Sequence, residues 1–286
     1  MPVIGELLSC CGRQLESRLE AELLMAQSLD RPRAWLYGHA DEELPHAAAE
    51  RLATLVQRRL AGEPVAYILG SREFFGRDFL VNPGVLIPRP ETELVIELAL
   101  QRLPLGPCRL IDVGTGSGCI ALTLAAERPA WEITAVDLSP AALAVCASNA
   151  QRLGLERVRR LESDLLGSVA GERFDAIVSN PPYVAAGDPH LARGDLRHEP
   201  ACALSAGADG LAIIQRLIAQ ARETLEPGGW LIVEHGHDQG PAVAGLMARS
   251  GLAEIATHRD LAGIDRVTLA CRCAAGCTMV RNPASP

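Results

Sequence analysis

Asn180-Pro181-Pro182-Tyr183 is a tetrapeptide able to grip a planar amino group. The Asn180 side-chain carbonyl is one hydrogen-bond acceptor, and the peptide carbonyl before Pro182 is a second. Proline fixes φ and removes a competing N–H donor, so the acceptor pair is held rigidly. The Tyr183 ring adds an apolar face on which a flat amide or base can stack. These four residues are the catalytic and substrate-binding candidates. A Pro-rich turn that merely ends a strand is the plainer alternative for the tetrapeptide alone; the rest of the chain weighs against it.

A second constellation lies upstream. Residues 110–120 (Leu-Ile-Asp-Val-Gly-Thr-Gly-Ser-Gly-Cys-Ile) read as strand, glycine-rich turn and helix. Glycines let backbone approach a ligand closely, and a helix start presents free N–H groups. A dinucleotide fingerprint needs its third glycine one residue later, where Cys119 stands. The register is instead similar to class I S-adenosylmethionine-dependent methyltransferases. Gly114, Thr115, Gly116, Ser117 and Gly118 are therefore cofactor-binding candidates. Asp137, ending the next strand, can accept two ribose hydroxyls. In folds of that kind the acidic residue after the third strand, here Asp164, usually receives the adenine amino group, with Leu165 beside the ring, and Asn180 completes the set.

At 286 residues the chain holds one large domain or two smaller ones. Hydrophobic residues make up 48% and aromatics only 3%, so the core must be aliphatic. All 27 basic residues are Arg, which reads as genome composition rather than function. The net charge of −8 argues against a general nucleic-acid binder, which shows a basic footprint. Nine scattered Cys are not the framework of a small secreted domain. No leader with a cleavage site and no bilayer-length apolar run is found. The expectation is a cytoplasmic monomer with reduced thiols, no membrane contact and no direct nucleic-acid partner. Cys271, Cys273 and Cys277 are closely spaced but lack a partner His, so no metal site is expected.

Residues 1–70 read as helical, with Leu15, Leu19, Leu23 and Ala26, then Leu52, Leu55, Val56 and Leu60, at helical spacing. This segment carries no catalytic constellation and is assigned to substrate docking. Residues 71–92 read as a β-hairpin followed by a Pro-rich connector. From 93 to 272, strands expected at 109–113, 132–137, 158–162, 176–179, 230–235 and 266–271 alternate with helices such as 93–103, 139–153 and 212–225. That alternation predicts an α/β fold with a mostly parallel, doubly wound sheet. Ligands of such sheets bind beyond the carboxyl ends of the strands, where the motifs above lie. Residues 273–286 read as a loose tail.

In combination these residues resemble one family, the protein-(glutamine-N5) methyltransferases that modify peptide chain release factors. The resemblance runs over nearly the whole chain. It rests on Arg72-Glu73-Phe74-Phe75, the connector 86–93, the loop 112–118 and Ser179 to Tyr183. His198-Glu199-Pro200, Glu234-His235-Gly236 and Asp265-Arg266-Val267 add to it. The tetrapeptide is shared with amino-group DNA methyltransferases; the connector, His-Glu-Pro and the motif order are much more specific. Leu165 departs from the family, which often has an aromatic residue there. The resemblance implies a Rossmann-like class I methyltransferase domain with a small helical N-terminal domain. It also implies S-adenosyl-L-methionine as methyl donor and S-adenosyl-L-homocysteine as product. The implied substrate is the glutamine of the Gly-Gly-Gln motif in class-1 release factors, the expected protein partners.

An amide nitrogen is a poor nucleophile because its lone pair is delocalised into the carbonyl. Positioning and desolvation, rather than a strong base, are the expected sources of acceleration. His198 and His235 are weighed as proton acceptors and read as structural; Arg89, between two prolines, reads as a salt-bridge partner. Two other functions compete: an amino-group methyltransferase acting on adenine or cytosine in nucleic acid, and a Rossmann-like interaction module without catalysis. The first would need a basic channel. The intact glycine loop, Asp137 and the tetrapeptide speak against the second.

Overall fold

The structure, a computed structural model, describes residues 3–192 and 194–273. Five helices open the chain: α1 (Ile4–Gln14), α2 (Arg18–Leu29), α3 (Trp35–Gly38), α4 (His46–Leu60) and α5 (Val65–Leu69). Ser17 starts α2, its hydroxyl accepting from the Glu20 N–H at 3.2 Å. The apolar stripes of these helices meet in a separate core around Ile4, Leu24, Met25, Leu36, Leu52 and Ile68. The hairpin β1 (Ser71–Phe74) and β2 (Arg77–Leu80) follows. Phe74 and Phe79 meet edge-to-face, centroids 6.1 Å apart, and join the main core.

The remaining chain folds into a seven-stranded sheet with helices on both faces. In order come α6 (Glu93–Arg102), β3 (Cys108–Val113), α7 (Cys119–Glu127), β4 (Trp131–Asp137), α8 (Pro140–Leu153), β5 (Arg159–Glu162) and β6 (Phe174–Ser179). Then follow α9 (Ala201–Leu204), α10 (Ala212–Thr224), β7 (Leu225–Glu234), α11 (Gly240–Arg249), β8 (Ala253–Arg259) and β9 (Asp265–Cys271). The strand order is β5-β4-β3-β6-β7-β9-β8. The first five of these pair in parallel, and β9 runs antiparallel to both neighbours. Alternation along β3 serves both faces: Leu110 enters the core under α6, α7 and α8, and Ile111 the core under α10 and α11. Strand order reverses between β3 and β6, and an open α/β sheet binds ligands at such a switch point.

The α/β alternation expected from sequence is the one observed. Among the elements that reading did not single out are β8 and α11. β8 is an edge strand whose residues are mostly half-buried, so its hydrophobic alternation is weak. α11 begins at Gly240-Pro241 and is rich in small residues, which blurs its apolar stripe. β7 also reaches back to Leu225, through Pro227-Gly228-Gly229, a segment with turn composition. Of the tail expected at 273–286, only Cys273 is among the described residues; Cys277 and the rest lie outside them.

Candidate active site

The turn after β3 is pinned to the end of β4: the Gly114 and Thr115 N–H groups both donate to the Val136 carbonyl, at 2.9 and 3.0 Å. Gly116, at φ 55°, has open space where a side chain would stand, so its backbone is bare toward the cleft. Gly118, at φ 83°, has the opposite reason: a Cβ would fall 2.7 Å from Cys146 Sγ, so glycine here lets α7 close onto α8. Thr115 and Ser117 are buried rather than turned to the cleft. Thr115 Oγ1 donates to Asp112 Oδ2 at 2.6 Å, and Ala121 N–H reaches the same oxygen at 3.2 Å. Burial pushes the Asp112 carboxyl up to about 7.

Asp137 accepts the Gly116 N–H at Oδ2 (2.8 Å) and the Ser139 N–H at Oδ1 (2.9 Å). Each oxygen retains a lone pair for a ligand hydroxyl. Burial raises its pKa, against the pull of those backbone donors. Leu165 adopts φ 53°, an unfavourable left-handed backbone for a leucine, at the wall of the cleft. Asp164 beside it is half-exposed and receives Arg216 at 2.7 Å. A cleft of about 340 Å³ unites Gly114, Gly116, Asp137, Asp164, Leu165, Asn180 and Pro182, within the range of small-molecule sites. Leu138, Ala142, Val85 and Ile213 give it apolar walls.

Asn180 ends β6 at the cleft. Its Nδ2 donates to Thr92 Oγ1 at 2.9 Å, and its Oδ1 has no hydrogen-bond partner among the described residues. Pro181 is buried. Tyr183 points its hydroxyl inward to Glu234 Oε1, 3.2 Å away, and its backbone carbonyl accepts Gln239 Nε2 at 3.0 Å. Desolvation pushes Tyr183 far above its ordinary pKa. Glu234 is fully buried, and desolvation raises it to about 7.

The cleft is roofed by the connector and the His-Glu-Pro segment. Glu199, buried, accepts the Ile87 N–H at 3.1 Å and pairs with the Arg89 guanidinium. Arg89 is thus a salt-bridge partner that ties connector to cleft wall. Tyr67 donates to the Val85 carbonyl at 2.6 Å, joining the helical bundle to the same roof. Asn149 on α8 clamps hairpin to loop: its Oδ1 accepts Leu80 N–H, and its Nδ2 donates to the Leu80 and Ser117 carbonyls.

Neither histidine weighed from sequence reaches the cleft. His235 is buried, with Nδ1 against the Gly236 carbonyl and Nε2 against Thr268 Oγ1, both at 2.9 Å. Burial lowers its pKa. His198 sits 3.0 Å from Arg197 Nε beside the bundle. Sequence reading gave no role to Thr92 or Asn149, because their partners lie on other elements and leave no local spacing to read. No cluster of His, Cys, Asp or Glu able to hold a metal occurs among the described residues.

Comparison with known proteins places this geometry in context. A family model described as PrmC N-terminal domain matches residues 6–70, and one described as Methyltransferase small domain matches residues 92–194. A Bordetella pertussis protein named release factor glutamine methyltransferase is 50% identical over 270 residues, covering 94% of this chain and 98% of its own. A Xylella fastidiosa protein of the same name is 48% identical over the same length and coverage. A T. thermophilus 16S rRNA N2 methyltransferase, solved in complex with AdoMet and guanosine, is 21% identical with a TM-score of 0.52. That likeness covers 71% of this chain and 49% of the other, and concerns the fold alone.

Proposed function

The chain belongs to the release factor glutamine methyltransferase family, and from that premise we propose a reaction for its cleft: methylation of the side-chain amide of the Gly-Gly-Gln glutamine in class-1 release factors. It is an S-adenosyl-L-methionine-dependent enzyme with a Rossmann-like class I fold. The observation that carries the reading is Asn180: its amide nitrogen is committed to Thr92, and its carbonyl oxygen is left unpaired at the cleft.

The cleft fits the donor chemically. When bound, S-adenosyl-L-methionine supplies an electrophilic methyl on a sulfonium sulfur. Asp137, with a lone pair left on each oxygen, would hold the ribose hydroxyls. Leu165, Leu138, Ala142 and Ile213 would flank the adenine, with Asp164 as acceptor for its amino group. Gly114 to Gly118 would offer bare backbone, with Thr115 and Ser117 serving through their main chain since their side chains are buried. Asn180 and the Pro181 carbonyl would accept the two hydrogens of the substrate amide and aim its lone pair. Pro182 fixes that carbonyl, and the Tyr183 ring would offer a face on which the amide stacks. Alignment and water exclusion then supply most of the acceleration. His235, off the cleft and with both ring nitrogens engaged, is unsuited as a base, so the proton would leave to water once the nitrogen has become cationic.

Charge supports a protein partner: the net charge of −8 would repel a nucleic-acid backbone. Free cysteines such as Cys10, Cys11, Cys108, Cys119, Cys146 and Cys202 support a reducing, cytoplasmic setting. No described helix is long and apolar enough to cross a membrane. The test is labelled S-adenosyl-L-methionine with an intact class-1 release factor, followed by mass mapping. The expected result is one methyl on the Gly-Gly-Gln glutamine. Label on duplex DNA and none on release factors would move the assignment to nucleic acid.

A further inference from the structure

We propose that Arg216 and Gln220, one turn apart on α10, are positioning residues of the donor site: they clamp the turn that follows β5, holding Leu165 in a left-handed backbone against the adenine and Asp164 toward its amino group. The proposal deepens the donor reading above and rests on it. Asp164 and Leu165 line the cleft, and Ile213, one turn before Arg216, lines it as well. α10 thus serves this end of the cleft twice, once as wall and once as clamp.

The turn is closed by the Gly167 N–H, which donates to the Asp164 carbonyl at 3.1 Å. Leu165 is its second residue, at φ 53°, and Leu166 its third, at φ −96°. A turn with that pattern of signs ordinarily carries glycine at its second position, because a Cβ is strained there. Leucine stands there instead, packed against the core under α10 and α11 and lining the cleft. A strained residue persists only where its surroundings over-determine it. Backbone donors fix the ends of the segment: the Ser163 N–H reaches the Asp137 carbonyl at 2.9 Å, and the Ser168 N–H reaches Ser163 Oγ at 3.0 Å. The middle is fixed from α10.

Gln220 Oε1 accepts the Leu166 N–H at 3.0 Å, and Arg216 Nη2 donates to Asp164 Oδ2 at 2.7 Å. These contacts grip the residues on either side of Leu165, from side chains that share one helix face. Leu166 is buried, so loss of the Gln220 acceptor leaves its N–H without a partner in the interior. The Arg216–Asp164 pair is about half-exposed, so it is weaker and screened by salt. Its contribution is directional. With Oδ2 taken, Asp164 Oδ1 has no hydrogen-bond partner among the described residues, and it is the oxygen free for an adenine –NH₂. Without the clamp the turn can relax toward negative φ at Leu165, which carries the side chain off the cleft wall and turns Asp164 away. The donor then binds only the fraction of molecules that hold the strained turn, and apparent affinity falls by that fraction.

The experiment measures, by calorimetry, the binding of S-adenosyl-L-homocysteine and of S-inosyl-L-homocysteine, which carries a carbonyl in place of the adenine amino group. The ratio of the two Kd values reports the contact to Asp164. Gln220→Met keeps the side-chain length and removes the acceptor. It is expected to weaken S-adenosyl-L-homocysteine about tenfold and to cut the preference for the amino form severalfold. Arg216→Ala is expected to weaken it about threefold and to lower the same preference, with the difference from the parent fading at about 1 M salt. A merely structural loss of folded protein weakens both ligands alike and leaves their ratio unmoved. In a Leu165→Gly background the added effect of Gln220→Met is expected to shrink, because glycine holds a positive φ unaided. An unchanged preference in Gln220→Met overturns the proposal, as does an effect of Gln220→Met that is undiminished beside Leu165→Gly. Should Gln220→Met fail to fold, the preference of Arg216→Ala decides on the same terms. Absence of S-adenosyl-L-homocysteine binding by the parent protein would instead sink the donor reading itself.

Discussion

The two halves of the cleft are built by different means. On the donor side, the turn after β3 is held through its own backbone N–H groups: Gly114 and Thr115 on the Val136 carbonyl, and Gly116 on the Asp137 carboxylate. These bonds join two adjacent parallel strands and the turns that follow them. On the acceptor side, Thr92, Asn180, Tyr183 and Glu234 come from a connector turn, the end of β6 and the end of β7, and they meet only through side chains. Backbone geometry tolerates substitution at neighbouring positions. A chain of side-chain hydrogen bonds fails at whichever link is cut. The donor side is therefore expected to lose affinity in increments, and the acceptor side to lose turnover abruptly.

Asn180→Ala tests the abrupt side most severely. It removes the acceptor at the cleft, and turnover is expected to fall on the order of 10²-fold or more, with donor affinity little changed. Steady-state kinetics with calorimetry check it; retained turnover would erase the contrast between the halves. Asp137→Ala tests the incremental side. Loss of charged acceptors is expected to cost on the order of 1.5–3 kcal/mol in donor affinity. Tight binding of NAD, with no donor binding by the parent protein, would overturn the donor reading. Asn149→Ala severs three bonds between hairpin, α8 and glycine loop. It is expected to lower stability by about 1–3 kcal/mol, through backbone groups left buried without partners, as read by urea unfolding.

The last effect concerns pH, and per pH unit it is the most gradual. Asp112 and Glu234 hold their protons to about 7 in the folded protein, well above ordinary carboxyls. The stability they contribute is fully present below the ordinary carboxyl range and is lost as pH rises through about 7. Each adds a slope of at most ~1.4 kcal/mol per pH unit. Asp112→Asn and Glu234→Gln are expected to flatten this slope in unfolding measurements between about pH 5 and pH 8. A slope unchanged in both would show that the two carboxyls are ionised in the fold.

The same contrast explains what the sequence made legible. Gly114-Thr115-Gly116-Ser117-Gly118 and Asp137 could be read because a strand, a turn and the next strand follow one another along the chain. Asn180 to Tyr183 could be read because proline and asparagine chemistry is local. Thr92 could not, since its meaning depends on Asn180, 88 residues away. Tyr183 was read for its ring, but its hydroxyl is spent on Glu234, 51 residues on. Among the elements, β8 and α11 escaped notice because half-burial and small residues weaken the hydrophobic period on which such reading depends.

Glu199 carries a consequence for how the protein comes into being. Its carboxylate joins partners 112 and 110 residues earlier, at Ile87 and Arg89. Bringing so distant a pair together costs chain entropy before any contact repays it. The roof of the cleft therefore consolidates late, after the bundle and the first β-α-β units can already be compact. During synthesis, a chain released short of this segment can hold a well-formed glycine loop and still lack a closed site. Donor binding is thus a check on completed folding, and the donor itself, by favouring the roofed state, would draw the last stage of refolding to completion.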